Sequence, residues 1–242
     1  MYGFNIIVEG NYACFTRPEF KVERLSYEVP TPGAMEGMLK KIYWKPAFRY
    51  VIDKIVVFNP VRTMAFTRRE IKSKLSLRNV KSKMKDPSKD ICIYSDKDGT
   101  MRTSVVLKNV KYGISFHIES TGKRCDKEDE CIEKHVGIIK KRLKKGQYFN
   151  RPYFGCREFS VKKIRMTDYI DYREISEEIK SLGRVDLGYM LYHMSFKDDG
   201  IPLNGDYDNP VYSDEAEPVY YHPYMINGVI DVARYKEAAN AD

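Results

Sequence analysis

The chain has 242 residues, 43% of them hydrophobic, enough for a proper core in one large domain or two modest ones. Its apolar runs are short, which argues against both a disordered chain and a helical membrane span. Net charge is +8, but residues 196–242 carry a net −7 and leave +15 on the first 195; this polarity points to a polyanionic partner for the N-terminal three quarters, nucleic acid being the commonest.

The N-terminus, Met1 to Asn5, lacks the charged and long apolar regions of a signal peptide, so the cytoplasm is the expected location. Cys14, Cys92, Cys125, Cys131 and Cys156 are then expected as reduced thiols. Cys125, Cys131 and His135 lie near one another in sequence, but no C-x-x-C pair exists and no fourth ligand is evident. Neither zinc nor any other metal or cofactor is expected.

Tyr2 to Glu9 reads as a first strand closed by Gly10-Asn11, and Arg17 to Tyr27 as a charged surface loop. Thr31-Pro32 is a hydroxyl N-cap followed by Pro at the first helical position, with Met35, Met38, Leu39 and Ile42 as the apolar stripe. Trp44-Lys45-Pro46 ends that helix and leaves Tyr43 at its terminus, where the hydroxyl is expected to point out of the fold. Tyr50 to Phe58 is a strong strand. From Arg62 to Lys89 there are ten Lys and Arg against Glu70 and Asp86, which predicts a basic excursion or long hairpin suited to a phosphate backbone or simply solvated. Arg102 to Leu107 and Tyr112 to Glu119 read as two strands. In the second, Ile114, Phe116 and Ile118 share one face and His117 falls on the opposite, wet one.

In the next segment Ile132, Val136, Ile139 and Leu143 recur at i, i+4, i+7 and i+11 and predict a helix with a narrow apolar stripe. Lys134, Lys141 and Lys145 line the opposite side, and His135 and Arg142 share the flank between. Lys134 to Lys145 contains six Lys and Arg and no Asp or Glu, so this ridge has no internal counter-charge. Most basic helix faces are solvated surface. However, a basic, aromatic loop, Gln147 to Tyr153, follows Gly146, and cations beside π-faces suit phosphates and unpaired bases.

Gly155 to Ile164 is the next predicted strand, which completes the order strand, helix, strand, strand, helix, strand. The fold class is therefore α+β: an N-terminal ferredoxin-like (RRM-like) βαββαβ domain over 1–166, with a basic insertion near 62–102. Beyond it, Ile175 to Lys180 predicts a short helix, and Arg184 to Ser195, Pro218 to Tyr224 and Val229 to Tyr235 predict strands of a small C-terminal antiparallel sheet over 167–242. Asn227-Gly228 is the strongest hairpin signal in the chain.

No P-loop, dinucleotide fingerprint, nucleophile elbow, H-E-x-x-H or compact carboxylate cluster is present. What remains is Tyr, Lys, His and Arg on a basic surface. That supply fits RNA cleavage without metal, where the substrate brings its own nucleophile.

Several ordered motifs resemble one family: Phe15-Thr16-Arg17-Pro18-Glu19, Lys21 to Tyr27, Pro30-Thr31-Pro32, Ile42-Tyr43-Trp44-Lys45-Pro46, Arg68-Arg69-Glu70, Gly155-Cys156-Arg157-Glu158 and Asn227 to Val232. Together they are similar to the CRISPR-associated Cas-five family, in the subtype of type I-C systems also called Dvulg. The resemblance covers essentially the whole chain. It implies an enzyme that cuts the repeat of precursor CRISPR RNA, with the catalytic Tyr of Y-W-K-P at Tyr43 and the adjacent Lys and His at Lys134 and His135. Attack of the 2′-hydroxyl on the neighbouring phosphorus would be served by His135 in proton transfer, Lys134 as a fixed cation and Tyr43 as an orienting or proton-sharing group.

RNA contacts are expected from Arg17, Arg24, Lys45, Arg68, Arg69, Lys72, Lys74, Lys141, Arg142, Lys145, Arg151 and Arg157. Expected partners are CRISPR repeat RNA with its mature 5′ handle, the backbone and large subunits of the type I-C Cascade complex, and DNA non-specifically. A non-catalytic handle-binding subunit and a general nucleic-acid-binding protein stay open as alternatives.

Overall fold

A computed structural model describes residues 3–20, 22–88, 91–121, 131–196, 202–206, 209 and 211–235; Cys125 lies outside them. The first strand, β1 (Gly3–Ala13), pairs antiparallel with β4 (Gly99–Ser120) on one side and β5 (Lys163–Thr167) on the other. On its far side β4 pairs with β2 (Phe48–Val57), so the sheet order is β5-β1-β4-β2. Helix α1 (Pro32–Ile42) follows β1, and α3 (Ile132–Lys145) follows β4. Thr31 caps α1 by accepting from the Ala34 N–H at 3.2 Å, and Met35, Met38, Leu39 and Ile42 are buried along one stripe. Helix α3 buries Val136, Ile139 and Leu143 and ends at Gly146, whose left-handed φ of 64° suits a residue without Cβ.

The two strands expected over 102–119 are one, because Tyr12↔Lys108 and Gly10↔Val110 carry the β1 ladder across the intervening residues. The N-terminal half of β4 pairs with β3 (Thr63–Ile71), with α2 (Leu77–Lys85) in the connection. The basic excursion is thus a long hairpin.

The strand expected over 155–164 begins only at Lys163. Before it, Phe154 and Phe159 close a tight turn by their backbone bonds, and Gly155 at φ 73° starts it. A Cβ at Gly155 would stand 1.9 Å from the Cys14 carbonyl oxygen, so only glycine lets the two backbones touch. Phe154, Phe15 and Tyr112 meet edge to face and pin the turn to the core.

Among the described residues, only part of the C-terminal segment forms a sheet of its own. Asn227 (φ 49°) and Gly228 (φ 84°) make the expected hairpin between β9 (Tyr224–Ile226) and β10 (Val229–Asp231). Strand β10 then pairs with β2, and β6 (Arg184–Asp186) pairs with β9, so the main sheet is extended at its β2 edge. A free β2 edge would leave a row of backbone groups unpaired, and these strands cover it. Gly188, at φ 65°, separates β6 from β7 (Met190–Phe196), which pairs with β8 (Ala216–Tyr221) as a separate two-stranded sheet. The short helix α4 (Glu177–Ser181) is capped by Ser176.

His117 is not on a wet face. It is 5% exposed, its Nδ1 2.9 Å from Asp53 and its Nε2 3.2 Å from Glu119.

Candidate nucleic-acid interface

Tyr43 closes α1 in extended geometry, its N–H bonded to the Leu39 carbonyl, and this turns its side chain back under the helix toward α3. The hydroxyl meets His135 Nδ1 at 3.0 Å. The Tyr43 ring stacks on Phe48 at 5.7 Å, and the His135 ring lies 5.0 Å from Phe48. Tyr50 donates to the Tyr43 carbonyl at 2.7 Å, and burial, with Tyr43 beside it, pushes the Tyr50 phenol well above its usual value.

Two expectations change here. Tyr43, 6% exposed, points into the fold, and His135, 1% exposed, belongs to the buried stripe of α3 and not to its flank. An imidazole given a hydroxyl partner can sit at a core position that charge patterning alone reserves for apolar residues. Lys134, the next residue back on α3, stays exposed.

Arg142, two turns along α3 from His135, places its guanidinium 5.0 Å above the Tyr43 ring and donates to the Ile42 carbonyl at 2.6 Å. The N–H groups of Phe149 and Asn150 both reach the Lys41 carbonyl at 3.0 Å and so fasten the loop after α3 to the end of α1. Between helix end and loop lies an open cavity of about 480 Å³, lined by Lys40, Lys41, Tyr43, Trp44, Lys45, Arg142, Phe149 and Asn150. Trp44 is 51% and Phe149 81% exposed, so two aromatic faces stand free beside four cations. Such a wall can stack unpaired bases and hold their phosphates.

Tyr43, Lys45 and Arg142 thus come together in one groove. Arg151 lines a smaller neighbouring cavity of about 210 Å³ with Arg142, Lys162 and Lys163. Lys141 and Lys145 lie on the exposed side of α3. The remaining predicted contacts lie elsewhere. Arg24 and Arg68 converge on Glu158, and Arg68 holds that carboxyl below the usual carboxylate range. Arg157 is exposed beside them. Arg17 is paired with Glu28 and stacked over Tyr27. Arg69 donates to the Asp96 carbonyl, and Lys72 and Lys74 are exposed toward the tip of the hairpin.

Sequence reasoning missed Lys40 and Lys41, although Lys-Lys-Ile-Tyr-Trp-Lys carries the signal: cations in the last helical turn against an aromatic pair. Among the described residues, no three His, Cys, Asp or Glu side chains are grouped so as to hold a metal ion, and no helix is long and apolar enough to cross a membrane.

The family described as CRISPR-associated protein (Cas_Cas5) matches residues 6–233. The chain belongs to this family. Two relatives, from Mannheimia succiniciproducens and Thermus thermophilus, bear the name CRISPR pre-crRNA endoribonuclease Cas5d. The first is 38% identical over 224 residues, covering 92% of this chain and 91% of the relative. The second is 31% identical over 240 residues, covering 98% and 93%. A solved crystal structure of a CRISPR-associated protein superposes with a TM-score of 0.58 at 25% identity, covering 95% of this chain and 91% of that one.

Proposed function

We propose that the chain is a metal-independent endoribonuclease that cleaves the repeat hairpins of precursor CRISPR RNA. It then keeps the 5′ handle as a subunit of a type I-C surveillance complex with the backbone and large subunits. The names of both curated relatives support the processing activity. The observation that carries the chemistry is the Tyr43–His135 hydrogen bond at the wall of a basic, aromatic groove. We read residues 1–166 as a ferredoxin-like RNA-binding and catalytic unit. The strand order β5-β1-β4-β2, with helices after β1 and β4, supports that reading. Strands β10, β9 and β6 extend its sheet.

The Tyr43 ring lines the groove, and its hydroxyl is turned inward onto His135. The pair accepts the proton of the ribose 2′-hydroxyl: as Tyr43 takes it, the phenolic proton passes to Nδ1 of His135. The ribose oxygen attacks the neighbouring phosphorus, the bond from phosphorus to the 5′-oxygen breaks, and the departing 5′-oxygen takes a proton from water. Lys134, with the cations of the groove, offsets the charge of the dianionic transition state. Retention of the product follows from the same cations, which still face its phosphates.

The test is incubation of a labelled repeat hairpin in EDTA. Cleavage leaving a 2′,3′-cyclic phosphate and a 5′-hydroxyl is expected, and a 2′-deoxy substitution at the cut nucleotide abolishes it while sparing binding. A strict Mg²⁺ requirement, or cleavage of the deoxy substrate, refutes the mechanism. The deep burial of His135 favours one other reading, a handle-binding subunit in which the Tyr–His pair serves only packing. That protein would bind the hairpin and leave it intact.

A further inference from the structure

The turn over 154–159 brings together two thiols that the RNA chemistry does not use. Cys14 N–H donates to the Phe154 carbonyl at 3.1 Å, and the backbone contact at Gly155 leaves Cys156 directly beside Cys14. Both sulfurs reach the Thr16 hydroxyl, Cys14 at 3.5 Å and Cys156 at 3.7 Å. Cys14 is fully buried, whereas Cys156 is half-buried. We propose that Cys156 and Cys14 form an oxidisable dithiol, in which Cys156 reacts with a peroxide and Cys14 resolves the product to a reversible disulfide.

The surroundings favour a thiolate at Cys156 and a proton on Cys14. The hydrogen bond from Cys14 pulls the Cys156 thiol down to about 6 against the opposing effect of burial, with Thr16 and the Arg24 guanidinium acting in the same direction. That shared hydrogen bond, with burial, pushes Cys14 up. Glu158 works against the thiolate, but its carboxylate is itself engaged by Arg24 and Arg68.

The reaction balances in two steps. The Cys156 thiolate attacks one oxygen of hydrogen peroxide, the O–O bond breaks, hydroxide leaves, and a sulfenic acid remains. The Cys14 sulfur then attacks the Cys156 sulfur as its proton is released. The S–O bond breaks and the departing hydroxide takes up that proton as water. Two thiols lose two electrons and two protons, and one peroxide becomes two waters. The disulfide ties the end of β1 to the turn that carries Glu158, the residue on which Arg24 and Arg68 converge.

The test uses the full-length protein. At pH 7 Cys156 is expected to alkylate about two- to fourfold faster than the exposed Cys92 and Cys131, as its larger thiolate fraction outweighs its lower intrinsic nucleophilicity. After brief peroxide treatment, peptide mapping without reductant should join the Cys14 and Cys156 peptides, and dithiothreitol should separate them. In Cys14→Ala the same treatment should leave Cys156 as a sulfenic acid trapped by dimedone, and Cys156→Ser should abolish the cross-link. Recovery of Cys14 and Cys156 as free thiols under conditions that oxidise Cys92 and Cys131 would overturn the proposal, as would alkylation of Cys156 no faster than those two.

Discussion

Replacing Tyr43 by Phe separates chemistry from packing. The substitution keeps the ring, which is stacked on Phe48 and covered by Arg142, and removes the hydroxyl that meets His135 at 3.0 Å. Taking one partner from a buried hydrogen bond costs about 1–3 kcal/mol, because the other keeps its desolvation cost without the compensating contact. For a chain of this size that lowers Tm by about 2–4 °C per kcal/mol. Against a folding stability of about 5–15 kcal/mol, such a loss leaves nearly every molecule folded, so unfolding cannot remove more than a small part of the activity. If Tyr43 shares the proton of the 2′-hydroxyl, single-turnover cleavage falls by about 10²–10⁴, the range for a lost acid–base group. The assay is single-turnover cleavage of a labelled repeat hairpin in EDTA at saturating protein, paired with a binding titration and a thermal melt. A variant that melts several degrees lower, yet cleaves within about threefold of the parent, would refute proton sharing and reduce the pair to packing.

Two further outcomes are expected. Neutralising Arg69, Lys72 and Lys74 on the β3–β4 hairpin, while sparing Arg68 and its bond to Glu158, should weaken RNA binding and flatten its salt dependence by about 0.7 log unit per lost phosphate contact, read from affinities across a salt series; an unchanged slope would assign the hairpin to another role. Glu158 should support stability above the ordinary carboxylate range, since Arg68 holds its folded pKa below the unfolded value, and that support should fade as pH falls through the folded value. Glu158→Gln should therefore lower Tm near neutrality and flatten the acid limb of a Tm-against-pH curve, and parallel curves for the two proteins would contradict this.

Local chemistry determined much of this protein from sequence alone. Thr31-Pro32 specifies the start of α1, the 132, 136, 139, 143 spacing specifies α3, and Asn227-Gly228 specifies a hairpin, because caps, helical period and positive-φ turns act within a few residues. The cationic surfaces were legible for the same reason, and Tyr43, Lys134 and His135 were named through motif resemblance.

What the sequence could not decide depends on contacts between distant residues. Periodicity places His135 near the edge of the α3 stripe, but whether it turns inward depends on a hydroxyl partner 92 positions away. The groove needs the 149–150 backbone fastened to Lys41, and the fusion of β10 with β2 needs a pairing that no local pattern encodes. Gly155 carries the same lesson: a strand-like stretch becomes a turn because its backbone must fit against Cys14, a constraint imposed from across the fold. Short-range propensity supplies the elements, and long-range packing chooses which of their faces and edges meet.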